Sequence, residues 1–311
     1  MIEEVKMFGV NDWNEQVRII KKKDNSINLD DLLGPVTNYD LDEIEIIGDH
    51  IFSAAVPFNA SKQFKKNVLA AMKAYSGGYK SIDRVLKRFG DFWEFRDPSD
   101  EKRNFYQILR EVKQEIESVI NEIGCINIQP DNIGHRLARE ALVRLKASFR
   151  SSTLLISQGY FFEPMAICKL ILEQIAWSYS TFDINNEQKI RLLKPTKTIS
   201  HLKKIIPYIG NLYGSLNIVT HMDPEYDHNY SLEIDNGIIL INYNIPDKKY
   251  LAIYFLILIA DLFRIISEYT FRSYGIELKC WKREGVGEAY RIKNRPLSQL
   301  GKMVLRKIDE G

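Results

Sequence analysis

The stretch RLAREALVRLKASFRSSTLLISQGYFFEPMAICKLILEQIAWSYSTF, Arg136 to Phe182, decides the fold. From Pro164 onward it places Met165, Ala166, Ile167, Leu170, Ile171, Leu172, Ile175, Ala176, Trp177 and Tyr179 on nearly every side of a helix. A helix that is apolar all round is buried in a core or spans a membrane. Lys169 and Glu173 interrupt this one, and it is shorter than the roughly 20 apolar residues that a bilayer requires, so it reads as buried. The first half turns Leu137, Ala141, Leu142, Leu145, Phe149 and Leu155 inward, with Arg139, Arg144, Lys146 and Arg150 outward or toward a cleft. Ser157-Gln158-Gly159-Tyr160 turns the chain, and Pro164 opens the second helix. The expectation is an antiparallel helical hairpin at the centre of the molecule. Glu173, a carboxylate on its buried helix, must be paired, protonated or employed. Arg150 stands at a comparable distance on the other side of the turn and is its expected partner, in an ion pair that fixes packing more readily than it catalyses.

Working outward toward the N-terminus, Asp97-Pro98-Ser99-Asp100 starts a long helix. Phe105, Ile108, Leu109, Val112, Ile116, Val119, Ile120 and Ile123 form one stripe on it. Lys102, Arg110, Glu111, Lys113, Glu115 and Glu117 cover its other face, and Gly124 closes it. The loop 127–133 is the expected boundary between an N-terminal and a C-terminal half. Earlier still, Ser61 begins a helix with Phe64, Val68, Met72 and Tyr75 on one face. The next helix places Ile82, Val85, Leu86 and Phe89 together, with Lys80, Arg84, Lys87 and Arg88 on a basic side that reads as solvated, the alternative being an RNA contact with Phe92, Trp93 and Phe95 close by. Ile44, Ile46 and Ile47 suggest a short strand; Trp13 to Ile20 suggests a helix or a strand, and Gly34-Pro35 marks a break.

Toward the C-terminus, a helix starts near Thr198 and breaks at Pro207, and another runs from Tyr208 to about Thr220, before Asp223-Pro224. Asn236-Gly237 between Leu232–Asp235 and Ile238–Tyr243 is a hairpin signal. The last core helix covers about Lys249 to Ser273, with Asp261, Arg264 and Glu268 spaced as mutually supporting surface pairs. A basic tail follows, rich in Lys279, Lys282, Arg283, Arg291, Lys293, Arg295, Lys302, Arg306 and Lys307. The reading is a mainly α protein: a helical bundle with a central antiparallel hairpin and one small β-hairpin. Its parts are a mostly helical region 1–130, a bundle 131–275 and a basic tail 276–311.

The net charge of +2 gives no global pull toward nucleic acid or anionic lipid. Cys125, Cys168 and Cys280 are too few and too scattered for a disulfide framework or a zinc site. No Gly-rich loop opens a helix to hold a phosphate, so no cofactor is expected. The N-terminus shows no signal-peptide pattern, and the apolar run Tyr250–Ala260 is short for a membrane span, which points to a cytoplasmic, membrane-free protein.

Tyr213, Asn217 and His221 recur every fourth residue and share one helix face among apolar neighbours. Asp223, Glu225, Asp227 and His228 follow at once. Histidine beside carboxylates is material for acid–base catalysis, RNA contact or a metal site. A histidine near helix C-terminal carbonyls, followed by a solvated acidic loop, is the structural alternative. The acids lack a recognised loop spacing, so no metal is assigned.

Arg150-Ser151 through Gly159-Tyr160, Glu163 and the helix from Leu170 to Glu173 resemble a family of uncharacterised bacterial helical proteins. In that family a Tyr-x-x-Leu-Ser-x-x-x-His segment follows, then a small hairpin and a final helix. Tyr213, Leu216 and His221 stand in those places, with Asn217 where the family has serine; the likeness covers residues 135 to 275. The architecture is similar, more loosely, to the HEPN helical domains of toxins and phage-defence proteins. Active HEPN members are ribonucleases with an Arg-x(4–6)-His motif at a dimer interface. None of His50, His135, His201, His221 and His228 has an arginine at that spacing; Arg191 is too far from His201. The resemblance therefore implies a non-catalytic binding module for RNA or a protein partner, acting in defence or stress, with a homodimer among the assemblies it suggests. The alternative is a metal-independent ribonuclease using His221 as acid or base, with Glu173 and Tyr213 beside it. Arg150 or a tail lysine would then stabilise phosphate charge, and Asn217, Asp223, His228, Lys282, Arg283 and Arg291 are the candidate binding residues.

Overall fold

A computed structural model of the chain describes residues 44–48, 53–57, 60–95, 100–129, 131–221, 231–234, 238–241, 248–284 and 289–309. The expectations for Trp13 to Ile20, Gly34-Pro35, Asp97-Pro98, Asp223 and His228 lie outside those residues. The chain divides into two compact units, Met1–Trp93 and Glu94–Gly311.

In the first unit, strand β1 (Ile44–Gly48) pairs antiparallel with β2 (Ser53–Pro57). Helix α1 (Lys62–Ser76) follows, capped by Ser61, whose Oγ accepts from the Phe64 amide at 3.1 Å. Such a cap is worth about 1 kcal/mol. Helix α2 (Ile82–Phe89) is capped in the same way by Ser81. The inward face of α1 is not the expected one. Lys65, Leu69, Ala70 and Ala74 are buried, while Phe64 and Tyr75 are exposed. Apolar residues occur on both sides of this helix, and Lys65 is drawn inward by Glu45 of β1, with 2.6 Å between Nζ and Oε2.

The second unit is the bundle. Helix α3 (Asp100–Gly124) buries every residue of its expected stripe, Phe105 through Ile123. It packs with the helices that follow, so loop 127–133 joins two helices of one unit. Helices α4 (Ile133–Ser157) and α5 (Phe162–Thr181) form the central hairpin. Ala138, Leu142, Leu145, Phe149 and Ile156 of α4 meet Met165, Cys168, Leu172, Ile175 and Ala176 of α5 in one continuous core. Gly159 turns the chain between them at φ +86°, a conformation that suits glycine. Gly134 is required for a different reason. A Cβ there would lie 2.5–2.6 Å from the carbonyl oxygens of Thr181, Phe182 and Ile184.

Short helices α6 (Glu187–Arg191) and α7 (Pro195–Leu202) precede α8 (Ile209–Thr220). Both α7 and α8 pack on α5. The expected β-hairpin is present as β3 (Ser231–Ile234) and β4 (Ile238–Ile241), in a register that pairs Ile234 with Ile238. Helix α9 (Lys249–Thr270) is long and apolar enough to cross a membrane, and most of it is buried against α3, α4, α5 and the last helix, α10 (Ser298–Asp309). Between α9 and α10, β5 (Trp281–Glu284) pairs with β6 (Ala289–Ile292), so the described residues hold three two-stranded antiparallel pairs rather than one. The fold is mainly α, as expected.

The expected surface pairing of Asp261, Arg264 and Glu268 is overturned: all three are about 1% exposed. Arg264 Nε donates to Glu115 Oε1 at 2.5 Å, Nη1 to Glu122 and Nη2 to Ser118 Oγ at 2.9 Å. Glu268 Oε2 accepts from the Cys280 amide at 2.8 Å. Asp261 accepts from the Leu297 amide at 2.9 Å and from Arg295 Nε at 3.0 Å. Lys279 adds a bond to Glu122 at 2.8 Å, and Trp281 donates from its indole to the Ile265 carbonyl at 2.9 Å. These bonds tie the stretch read as a basic tail to the bundle, and Cys280, Trp281, Leu297, Leu300 and Val304 complete the core. Burial raises the carboxyl pKa of Asp261 and Glu268. Burial also opposes the Glu122 carboxylate, but Lys279, Arg264 and Ser118 together outweigh it and hold that group below the usual range.

Candidate functional site

The candidate site is the seam where α8 lies antiparallel along one edge of α5. Four-residue spacing places Tyr213, Asn217 and the cap residue His221 on that edge of α8. The same spacing places Lys169 and Glu173 on the facing edge of α5. The side chains meet in order. Tyr213 Oη donates to Glu173 Oε1 at 2.9 Å. Lys169 Nζ donates to Asn217 Oδ1 at 2.7 Å and lies 3.3 Å from His221 Nε2. Lys169 Nζ also stands 5.8 Å from the centroid of the Tyr213 ring. Burial, the bond to Glu173 and the charge of Glu173 raise the Tyr213 pKa, which keeps the phenol protonated as a donor.

Two expectations about this region are corrected. Helix α5 is not buried all round: Ala166 and Leu170 are exposed, and Lys169 and Glu173 are half-buried. The Arg150–Glu173 pair does not form. Arg150 is exposed and faces α3, with Nη2 3.6 Å from Glu117 Oε1. Equal distance from a turn fixes height along a hairpin but not the direction in which a side chain leaves its helix.

The structure therefore brings Glu173, Tyr213, Asn217 and His221 together and leaves Arg150 out. It adds Lys169, which the sequence shows only as a charge interrupting an apolar helix. The one available signal was its four-residue spacing from Glu173, matching the spacing on α8. The tail cations sit on the β5–β6 hairpin, where Lys282 and Arg291 are cross-strand neighbours and both exposed; the Arg283 side chain lies outside the described residues. His135 has a packing role. It stacks on Phe182 with 3.9 Å between centroids, and its Nδ1 is 2.6 Å from Tyr274 Oη. Among the described residues, no group of three or more His, Cys, Asp or Glu side chains is placed to hold a metal ion. Burial raises the pKa of Cys168 to about 12, which makes that thiol a core group rather than a nucleophile.

Comparisons of the chain with protein-family models, with curated proteins and with solved structures find no match.

Proposed function

We propose that this chain is a binding module without chemistry of its own, and that the α5–α8 seam is its contact surface. On this reading it is a cytosolic, HEPN-like helical protein that engages RNA or a protein partner in defence or stress. The observation that carries the reading is that the seam's polar groups are turned toward one another. Glu173 holds the Tyr213 hydroxyl, and Lys169 is shared between Asn217 and His221. A general acid or base must face the proton it moves. Here the carboxylate faces a phenol of its own chain. Leu170 on α5 and Ile218 on α8, both exposed, supply apolar area for a partner on either helix.

A metal-independent ribonuclease is the second reading. It is favoured by one contact, the exposed His221 imidazole beside the Lys169 ammonium, an acid or base next to a cation. Incubating the purified protein with total RNA, beside His221→Ala and Glu173→Gln variants of intact fold, separates the two. A binding module leaves the same background cleavage in all three samples. RNA loss with the wild-type chain that disappears with His221→Ala makes the protein an enzyme.

A further inference from the structure

From Gln188 to Met222 the chain contains no aspartate or glutamate, yet it carries Lys189, Arg191, Lys194, Lys197, Lys203 and Lys204. A segment of six positive charges in a chain of net +2 leaves −4 for all the rest, so the near-neutral total conceals a polarised surface. All six side chains are exposed, as is His201. Among the described residues only Arg191 of the six has a carboxylate partner, Glu187, at 2.5 Å. Helix α7 is only about 12 Å long at 1.5 Å per residue. Lys197, His201 and Lys204 fall at i, i+4 and i+7, on one stripe of α7 and the turn that extends it. Lys194 stands at the helix start, and Lys189 and Arg191 lie one short turn before it.

This surface reaches the first turn of α8. The Lys203 side chain lies over Gly210: a Cβ on that glycine would meet Lys203 Cε at 2.5 Å and Nζ at 2.9 Å. Gly210, Gly214, Asn217 and His221 follow one another along the same edge of α8. A Cβ at Gly214 would meet nothing within 4 Å, and the Glu173–Tyr213 pair separates Lys203 from Lys169 along the seam. Tyr208, just beyond Lys204, is 48% exposed.

We infer that the exposed cations of residues 189–204 form a docking track for a single-stranded nucleic-acid backbone. The inference rests on the binding-module reading and names the ligand class. Charges spread over two short helices suit a chain of phosphates better than one small anion, which requires donors converging on a point. An exposed aromatic beside such a track supplies a face on which a base stacks. A membrane surface fits less well, because an interfacial segment presents an apolar face to insert. Between residues 187 and 207, Leu192 is the exposed large aliphatic side chain.

The test is fluorescence anisotropy of the full chain with a labelled 16-nucleotide single-stranded RNA and the matching DNA, beside co-sedimentation with vesicles rich in anionic lipid. The substitutions K189Q, K194Q, K197Q and K204Q, all on exposed positions, are combined in one variant whose circular dichroism and melting are checked first. R144Q, K293Q, K302Q and R306Q combined, on exposed positions outside the track, remove the same four charges and are the control for loss of positive charge alone. The track predicts at least tenfold weaker binding of either strand by the fourfold variant and less than twofold change in the control. Equal weakening in both variants reduces the effect to net charge and overturns the track. RNA bound as tightly by the fourfold variant as by the wild type overturns it too, while leaving the binding-module reading intact. Vesicle binding without nucleic-acid binding replaces it with a membrane site. Wild-type cleavage of the probe that His221→Ala abolishes overturns the underlying reading instead.

Discussion

Replacing Arg264 with methionine keeps most of the side-chain volume and removes the guanidinium on which the C-terminal half of α9 is organised. In the folded chain that group bonds to Glu115, Glu122 and Ser118, and its Nε lies 3.9 Å from Glu268 Oε1. Removing one member of a buried ion cluster costs about 3–5 kcal/mol, because the charges left behind stay desolvated. Two features place this case toward the lower end of that range. Glu115 and Glu122 are partly open to water and can recover hydration, and Glu122 keeps Lys279. Glu268 has neither outlet: it is 1% exposed, and its Oε1 has no hydrogen-bond partner. A loss of about 3 kcal/mol follows for Arg264→Met, or roughly 6–12 °C in melting temperature for a unit of this size. Urea unfolding followed by far-ultraviolet circular dichroism measures it. A loss below about 1 kcal/mol, the range of exposed pairs, would refute the burial argument and return Asp261, Arg264 and Glu268 to the surface.

Three further outcomes follow from the same packing. Gly134→Ala must push a methyl group into three carbonyl oxygens, and the expected loss is about 1–3 kcal/mol by thermal melting, with an unchanged melt as the contrary result. Of the three thiols, only Cys125 is exposed, so a thiol reagent at neutral pH should titrate one group in the folded chain and three in denaturant. Rapid reaction of a second thiol would show that Cys168 or Cys280 is not sealed. Because the folded carboxyls of Asp261 and Glu268 are raised, the native state holds protons that the unfolded chain has released. Their contribution to stability is therefore present at low pH and declines as pH rises from the ordinary carboxylate range through the raised values. Glu268→Gln should flatten that part of the stability–pH curve, and an unaltered slope would mean that Glu268 does not titrate there.

What the sequence discloses depends on whether one element contains the whole signal. The eight-residue stripe of α3 was legible because its period lies within one helix, and all eight residues are buried. The seam edge on α8 was legible for the same reason, from the four-residue spacing of Tyr213, Asn217 and His221. The partners of that edge were not, since no local rule says which helix faces α8 or in which rotation. Height along the hairpin alone pairs Arg150 with Glu173, and its side chain points to α3 instead. Asp261, Arg264 and Glu268 have the spacing of solvated pairs, and the same spacing serves a buried cluster when Glu115 and Glu122 arrive from another helix. The clue was the helix around them. Where α9 is apolar on nearly every side, three charges on it have little solvent face to occupy. The basic surface of residues 189–204 is hidden by a balanced total, because the acids that offset it lie elsewhere in the sequence.

The salt dependence of RNA affinity tests the account at its centre. Binding to phosphates releases counterions, so the logarithm of affinity falls with the logarithm of salt by about 0.7 for each phosphate that a single strand has neutralised. The track predicts a steep linear dependence for the wild-type chain, made shallower by about 3 when Lys189, Lys194, Lys197 and Lys204 become glutamine, with the RNA recovered at full length. A dependence equally steep in both chains, or an affinity indifferent to salt, would contradict it.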